Sequence, residues 1–155
     1  MAIILIADPI DSRGVDKLIS AGHEVDIQKG LTEAALIKII GTYDALIVRS
    51  ETKVTANVID HAKKMFCIGR AGGGVDNIDV EAATQNGIAV VNAPTGNTIA
   101  AAEHAFALMM SLARNIPQAD ASMRRGEWTR SKFTGVELRN KTLGIIGLGR
   151  VGSEV

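Results

Sequence analysis

Apolar and polar blocks alternate along the chain from the N-terminus to Pro94. Five short runs rich in β-branched and aliphatic residues predict strands, and several are apolar almost throughout, as in strands that are buried on both faces. Helix-like segments with short connections lie between them, which predicts right-handed βαβ units and an α/β fold with a doubly wound parallel sheet. The predicted strands are 2–7, 24–27, 44–50, 65–71 and 88–94.

Residues that favour helix ends mark the segments between these strands. Thr32 is a predicted N-cap, and Gly41 ends the helix that follows it. Thr55 and Asp79 are the predicted starts of two further helices, the second of which ends at Gly87.

The pattern changes after Pro94, where residues 95–115 predict one long helix that ends at Asn115. Asn97 or Thr98 is its predicted cap. Because this helix is apolar nearly all round, we expect it to be buried between two bodies. A second helix starts near Pro117 and ends at Gly126.

The sequence TLGIIGLGRVG predicts a strand at Thr142–Ile146 that runs into glycines with G-x-G-x-x-G spacing. Gly147 permits a tight turn, Gly149 lets the backbone approach a pyrophosphate, and Gly152 allows close packing of a helix. An acidic residue about 20 positions further on would confirm a dinucleotide site, and that position lies beyond residue 155. The alternative is an ordinary glycine-rich turn.

Charge and composition exclude several classes of partner. Lys plus Arg and Asp plus Glu both number 17, so no nucleic acid or anionic membrane is expected as a partner. Cys67 is the only cysteine, which fits a reducing, cytoplasmic setting. The apolar N-terminus lacks a basic region and indicates a first strand, not a signal peptide.

Polar residues follow three of the predicted strands. Arg49, Ser50 and Lys53 follow the third strand, and Arg70 with Gly72–Gly74 follows the fourth. Ligands of open parallel sheets bind beyond the carboxyl ends of the strands. Guanidinium groups and free backbone N–H groups suit a small carboxylate or phosphate. The alternative for the two arginines is a surface ion pair with an acidic neighbour: Glu51, Asp76 or Asp79.

Several long stretches resemble the N-terminal part of the D-isomer-specific 2-hydroxyacid dehydrogenases, and together they cover essentially the whole chain. The resemblance implies a flavodoxin-like substrate domain at 1–95, a helical connector and dimerisation segment at 96–140, and the start of an NAD-binding Rossmann domain at 141–155. The stretches are LIVRSETKVT, IGRAGGGVDNIDVEAATQNGIAVVNAPTGNTIAAAEH, LARNIPQADASM, GEWTRSKFTGVEL and KTLGIIGLGRVG.

The same resemblance implies an oxidoreductase that converts D-3-phosphoglycerate to 3-phosphohydroxypyruvate with NAD, the entry to serine biosynthesis. Its implied partners are a small phosphorylated 2-hydroxy acid and identical subunits in a homodimer or larger oligomer. The family's catalytic arginine, glutamate and histidine lie beyond residue 155, so we expect no catalytic residue here, no metal, and no activity of the chain alone.

The resemblance also assigns binding roles by position. Gly73 stands where many relatives have a threonine that contacts the nicotinamide end of the cofactor, and only its backbone N–H remains for that contact. Arg130 corresponds to a basic position that reaches across a dimer towards the partner's substrate. The implied substrate-binding residues are Arg49, Ser50, Lys53, Arg70, Ala71, Gly72, Gly73 and Arg130. The implied cofactor-binding residues are Gly73, Gly147, Gly149, Arg150, Val151 and Gly152.

Three alternatives remain open. A related glyoxylate or hydroxypyruvate reductase would keep the family, but Arg49, Lys53 and Arg130 together favour a phosphorylated acid. A stand-alone, non-catalytic module would bind a small anion and pair through the helix at 98–114. A receiver-like domain needs an acidic cluster after the first strand, and Asp8 has no evident partner set. Structural roles are expected for His23, His61, His104 and Cys67.

Overall fold

The computed structural model describes residues 1–155, which divide into two compact units, Met1–Gly96 and Asn97–Val155. The first unit is a five-stranded sheet in the order β2-β1-β3-β4-β5, and every neighbouring pair of strands is parallel. This confirms the doubly wound, flavodoxin-like arrangement. In chain order its elements are β1 Ile3–Ile6, α1 Ser12–Ser20, β2 Glu24–Ile27, α2 Glu33–Ile40, β3 Ala45–Val48, α3 Ala56–His61, β4 Cys67–Arg70, α4 Val80–Gln85 and β5 Ala89–Asn92.

The core of this unit lies on the three central strands. Leu5, Leu46 and Ile68 occupy paired positions of β1, β3 and β4, and all three are completely buried. Leu36 and Ile40 of α2 pack into the same cluster. Burial on both faces explains why these strands are apolar almost throughout.

Local capping explains the helix starts. The side chains of Thr32, Thr55 and Asp79 accept hydrogen bonds from backbone N–H groups in the first turns of α2, α3 and α4. The predicted starts are therefore confirmed. The helix α1 was not predicted, although Asp11 caps it by accepting from the N–H of Arg13.

The second unit contains α5 Thr98–Ala113, α6 Ile116–Arg124 and a 3₁₀ helix at Arg130–Phe133. The predicted burial of α5 is wrong for this chain, because only Thr98 and Ala102 are buried. The short helix α6 is the main element packed against it and covers little of its surface. No helix in the chain combines the length and apolar character needed to cross a membrane. The exposed apolar side chains of α5 are Ile99, Phe106, Leu108, Met110 and Leu112.

The predicted strand at Thr142–Ile146 is also absent. A strand requires a neighbouring strand to receive its ladder hydrogen bonds, and no other strand lies in this unit. Ile145 and Ile146 are exposed. The segment therefore shows how an apolar run alone does not determine a strand.

Candidate functional site

The first unit has a topological switch point between β1 and β3, where ligands of open α/β sheets commonly bind beyond the carboxyl ends of the strands. Asp8 follows β1 and Arg49 follows β3. The backbone N–H of Arg49 donates to Oδ2 of Asp8 at 2.6 Å. The structure therefore joins two strand ends that are 41 residues apart in sequence.

Asp8 organises the turn that follows β3. Its side chain is 1% exposed, and Oδ1 accepts from the Thr52 hydroxyl at 2.6 Å. Oδ2 also accepts from the backbone N–H of Thr52 at 3.2 Å. The sequence pattern presents Asp8 only as an acidic residue after the first strand without an evident partner set. The signal that could have found it is a carboxylate placed directly after the apolar strand β1.

Arg49 and Arg70 have different environments. The Arg49 side chain is exposed, makes no ion pair, and has one long hydrogen bond of 3.4 Å from Nη1 to the carbonyl of Pro9. The Arg70 side chain is only 11% exposed, and its Nη2 lies 3.3 Å from Oδ1 of Asp76. The ion pair that was the alternative to anion binding is present for Arg70 and absent for Arg49.

The glycine loop after β4 has two kinds of backbone N–H. The N–H groups of Ala71 and Gly72 donate to the carbonyls of Val48 and Arg70 at 2.8 and 2.9 Å. The N–H groups of Gly73 and Gly74 donate to no acceptor in the chain. Of the predicted carboxylate-binding donors at Ala71–Gly73, only the N–H of Gly73 is therefore free, and Gly74 adds a second free N–H that was not predicted.

An open cleft of about 590 Å³ lies between this loop and the turn after β3. The exposed side chains of Ser50 and Lys53 line one side, and Asp76 and Asp79 line the other. The charges in this cleft are therefore mixed. The guanidinium of Arg49 is not among the lining groups of the cleft.

The second unit holds Arg130 in its 3₁₀ helix. An open basin of about 690 Å³ is lined by Arg130, Lys132 and the hydroxyl groups of Thr129, Ser131 and Thr134. Arg130 is exposed and makes no ion pair. The basin thus offers two cations with hydroxyl donors, which suits an anionic group.

A network below this basin fixes the start of the 3₁₀ helix. The buried hydroxyl of Ser122 donates to Oε2 of Glu127 at 2.9 Å and lies 3.3 Å from the hydroxyl of Thr129. Arg125 also donates to Glu127 at 2.8 Å. The guanidinium of Arg125 and then the Ser122 hydroxyl lower the pKa of Glu127 to about 2.

The glycine turn near the C-terminus has part of the geometry of a pyrophosphate loop, without the flanking strand and helix. Gly147 has φ of +94°, and a side chain at Gly152 would collide with the carbonyl oxygen of Gly147. Gly149 faces open space. The N–H groups of Gly149, Arg150 and Val151 donate to no acceptor in the chain. These residues therefore fit a bound pyrophosphate.

The histidines and the cysteine do not form a reactive cluster. Nδ1 of His61 lies 2.7 Å from the carbonyl of Asn57, and His104 is exposed on α5. Nδ1 of His23 is buried without a partner. Burial raises the pKa of the Cys67 thiol. No group of three or more His, Cys, Asp and Glu side chains is arranged to hold a metal ion.

Comparison with known proteins places this geometry in context. Residues 4–145 match the family model described as D-isomer specific 2-hydroxyacid dehydrogenase, catalytic domain. The D-3-phosphoglycerate dehydrogenase of Archaeoglobus fulgidus is 57% identical over 98% of this chain, which covers 29% of that protein. The human protein of the same name is 51% identical over 98% of this chain, which covers 28% of it. The chain thus spans less than a third of these curated relatives.

Solved structures agree with the fold. The TT0316 protein of Thermus thermophilus superimposes with a TM-score of 0.90 at 32% identity, over 98% of this chain and 50% of that one. The NAD⁺-bound 3-phosphoglycerate dehydrogenase of Entamoeba histolytica has a TM-score of 0.77 at 33% identity, over 98% and 48%. An NADP-bound glyoxylate/hydroxypyruvate reductase of Sinorhizobium meliloti has a TM-score of 0.83 at 27% identity, over 98% and 48%.

Proposed function

The chain belongs to the D-isomer-specific 2-hydroxyacid dehydrogenases, a family of oxidoreductases, and from this premise we propose that it is the substrate-binding portion of an enzyme that oxidises D-3-phosphoglycerate with NAD. The product is 3-phosphohydroxypyruvate, and the reaction begins serine biosynthesis. The relatives between 51% and 57% identical that bear the name D-3-phosphoglycerate dehydrogenase support this substrate. The observation that carries the proposal is the exposed Arg49 guanidinium, free of any carboxylate, at the switch point of the sheet.

The two ends of the substrate would have different ligands. Arg49 and Lys53 would attract the phosphate, because a guanidinium can donate two parallel hydrogen bonds to phosphate oxygens and an ammonium adds positive charge. The free N–H groups of Gly73 and Gly74 would hold the carboxylate. Arg130 would contact a substrate that is bound by the partner subunit of a homo-oligomer.

The glycine turn would hold the cofactor. Bound NAD supplies the hydride acceptor for the oxidation. The N–H groups at Gly149–Val151 would donate hydrogen bonds to its pyrophosphate. The absence of a side chain at Gly152 lets its backbone lie close to Gly147. NAD rather than NADP is supported by the NAD⁺-bound relative at 33% identity, although a relative at 27% binds NADP.

We propose that the chain alone does not turn over substrate. Proton transfer to or from the substrate hydroxyl needs a positioned acid or base. His61 is engaged with the carbonyl of Asn57, and none of the three histidines lines the cleft. The family's catalytic histidine, glutamate and arginine would belong to the remainder of a longer protein, since the relatives are more than three times as long.

A second candidate is a non-catalytic module that binds a small anion. The first unit supports this second candidate, because the unit has its own core and carries Arg49 together with the free N–H groups of Gly73 and Gly74. Calorimetry with D-3-phosphoglycerate and an assay of NADH formation, both on the full-length protein, separate the two proposals. Tight binding without NADH formation would favour the module, and binding followed by NADH formation would favour the enzyme.

The experiment that tests the proposed reaction uses the full-length protein that contains these residues. Initial rates of NADH formation are compared for D-3-phosphoglycerate, D-glycerate and D-lactate. The proposal predicts the highest kcat/KM for the phosphorylated acid. A higher kcat/KM for either unphosphorylated acid would overturn it and favour a related reductase.

A further inference from the structure

Three side chains hold the backbone of Arg49 at both of its polar groups. Its N–H donates to Asp8 at 2.6 Å. Its carbonyl accepts from Nδ2 of Asn77 at 2.8 Å and from Nε of Arg70 at 3.1 Å. The guanidinium of the same residue is exposed, makes no ion pair and donates only a long hydrogen bond of 3.4 Å to the Pro9 carbonyl. The chain therefore fixes the backbone from which this side chain extends.

Asn77 holds the turn after β3 at a second point. Its Nδ2 donates a second hydrogen bond to the carbonyl of Thr52 at 2.6 Å. One amide group thus bridges the two ends of the turn 49–52. The Oδ1 atom of Asn77 is buried and has no partner.

Asn77 also connects the two loops of the site. It belongs to the loop after β4, which carries the free N–H groups of Gly73 and Gly74. Its own carbonyl accepts from the N–H of Val54 at 2.8 Å, next to an isolated parallel bridge between Val54 and Ile78. The side chain and backbone of one residue therefore hold the turn after β3 against the glycine loop.

We propose that Asn77 is a positioning residue that sets the distance between the two anion ligands of the site. Asn77 acts through the backbone of Arg49. The inference rests on the proposed function, in which Arg49 binds the substrate phosphate. A substrate with two anionic ends needs its ligands at a fixed separation. Loss of the Asn77 amide would leave every ligand present but let the turn 49–52 shift relative to Gly73.

The test uses four variants of the full-length protein: Asn77→Ala, Arg49→Ala, the two combined, and Asn86→Ala. Asn86 is the matched control, because its Nδ2 also donates to a backbone carbonyl, that of Ala82 at 3.0 Å, at the end of α4. KM for D-3-phosphoglycerate, kcat and the melting temperature are measured for each. If Asn77→Ala does not fold, Asn77→Ser replaces it, because its hydroxyl can still donate one hydrogen bond.

We expect Asn77→Ala to raise KM about tenfold at a similar kcat, and Asn86→Ala to leave KM within about twofold. The combined variant should have a KM close to that of Arg49→Ala, since both changes remove one interaction. If Arg49→Ala raises KM and Asn77→Ala behaves like Asn86→Ala, the positioning role is wrong and the proposed function stands. If the two effects multiply, Asn77 acts independently of Arg49, and the inference fails. If Arg49→Ala leaves KM unchanged, the proposed role of Arg49 is wrong, and the positioning role of Asn77 that depends on it is wrong as well.

Discussion

The hydroxyl of Thr52 donates to Oδ1 of Asp8 at 2.6 Å, and both side chains are buried at the switch point of the sheet. The partner is a carboxylate, so this is a charge-assisted hydrogen bond in a place that water does not reach. It connects the end of β1 to the turn that carries Arg49. The geometry of the candidate site therefore depends on a buried pair that does not line the cleft.

Replacing Thr52 by valine should destabilise the first unit. The change keeps the shape of the side chain but leaves a buried carboxylate oxygen without a partner, which costs about 1–3 kcal/mol. Thr52→Ser should lose less, because it keeps the hydroxyl. The free energy of unfolding in urea measures both.

Thr84→Val is the control for this change. The hydroxyl of Thr84 donates to the Val80 carbonyl on the exposed surface of α4. Its removal should therefore lower the free energy of unfolding by no more than about 0.5 kcal/mol. Equal losses for Thr52→Val and Thr84→Val would show that the Asp8 hydrogen bond contributes nothing special.

Tyr43 is the only tyrosine, so its ionisation can be followed directly by ultraviolet absorbance. Burial, followed by a hydrogen bond to Asp26, raises its pKa to about 12. Because the folded-state pKa lies above the ordinary value of 10.0, its contribution to stability is complete below pH 10 and is lost as the pH rises towards 12.

Asp26→Asn should move the pKa of Tyr43 downwards but leave it above its ordinary value, since the burial remains. The matched control is Asp60→Asn, an exposed change at the end of α3. A Tyr43 pKa near 10 in the unaltered protein would contradict the described packing.

Glu127 should titrate at unusually low pH in the second unit. Its pKa is about 2, below the ordinary value of 4.5, mainly because of Arg125. The ionised form is favoured in the folded state, so its contribution to stability is present above pH 4.5 and is lost as the pH falls towards 2. NMR titration of the side-chain carboxyl measures this value.

Arg125→Ala and Ser122→Ala should each raise the pKa of Glu127, with the larger effect for Arg125. Arg124→Ala is the control, because Arg124 pairs with Asp120 and not with Glu127. A similar rise in all three variants would mean that net charge, not the described contacts, sets the value.

The glycine turn predicts a selective loss of cofactor affinity in the full-length protein. Gly152→Ala introduces a methyl group against the carbonyl oxygen of Gly147. Such overpacking costs about 1–3 kcal/mol. The affinity for NAD should therefore fall about 5- to 150-fold. Gly144→Ala is the control, because that position faces open space. Equal affinities in the two variants would rule out the turn as the pyrophosphate site.

The exposed face of α5 predicts concentration-dependent association. Ile99, Phe106 and Met110, at positions i, i+7 and i+11, lie on one side of this helix and form an apolar surface that a protein commonly covers. Sedimentation of the 155-residue chain should show a mass that rises with concentration, and Phe106→Glu should weaken this. A monomer at all concentrations would contradict the proposed dimerisation segment.

Local signals explain what the sequence could predict. The five strands follow from apolar runs, and the starts of α2, α3 and α4 follow from Thr32, Thr55 and Asp79, whose capping bonds span only three residues. The glycines at 147 and 152 were likewise found by their spacing. Such features depend on neighbours in sequence, which a sequence displays.

Features that depend on distant residues could not be predicted in this way. The bond between Asp8 and Arg49 joins positions 41 apart, and the ion pair of Arg70 depends on how the loop after β4 turns. The apolar run at 142–146 forms no strand because strand formation needs a partner. The exposure of α5 likewise depends on what packs against it, not on its own composition.

The most direct test of the account is the KM for D-3-phosphoglycerate in the full-length protein with Arg49→Ala, compared with Lys64→Ala. Lys64 is an exposed cation just before the amino end of β4, whereas Arg49 follows the carboxyl end of β3. Each variant loses one positive charge. A hydrogen bond to a charged group contributes about 1.5–3 kcal/mol, so its loss in Arg49→Ala should raise KM at least tenfold. The Lys64→Ala variant should keep its KM. Equal KM values for the two variants would show that the switch point of this sheet does not bind the substrate phosphate.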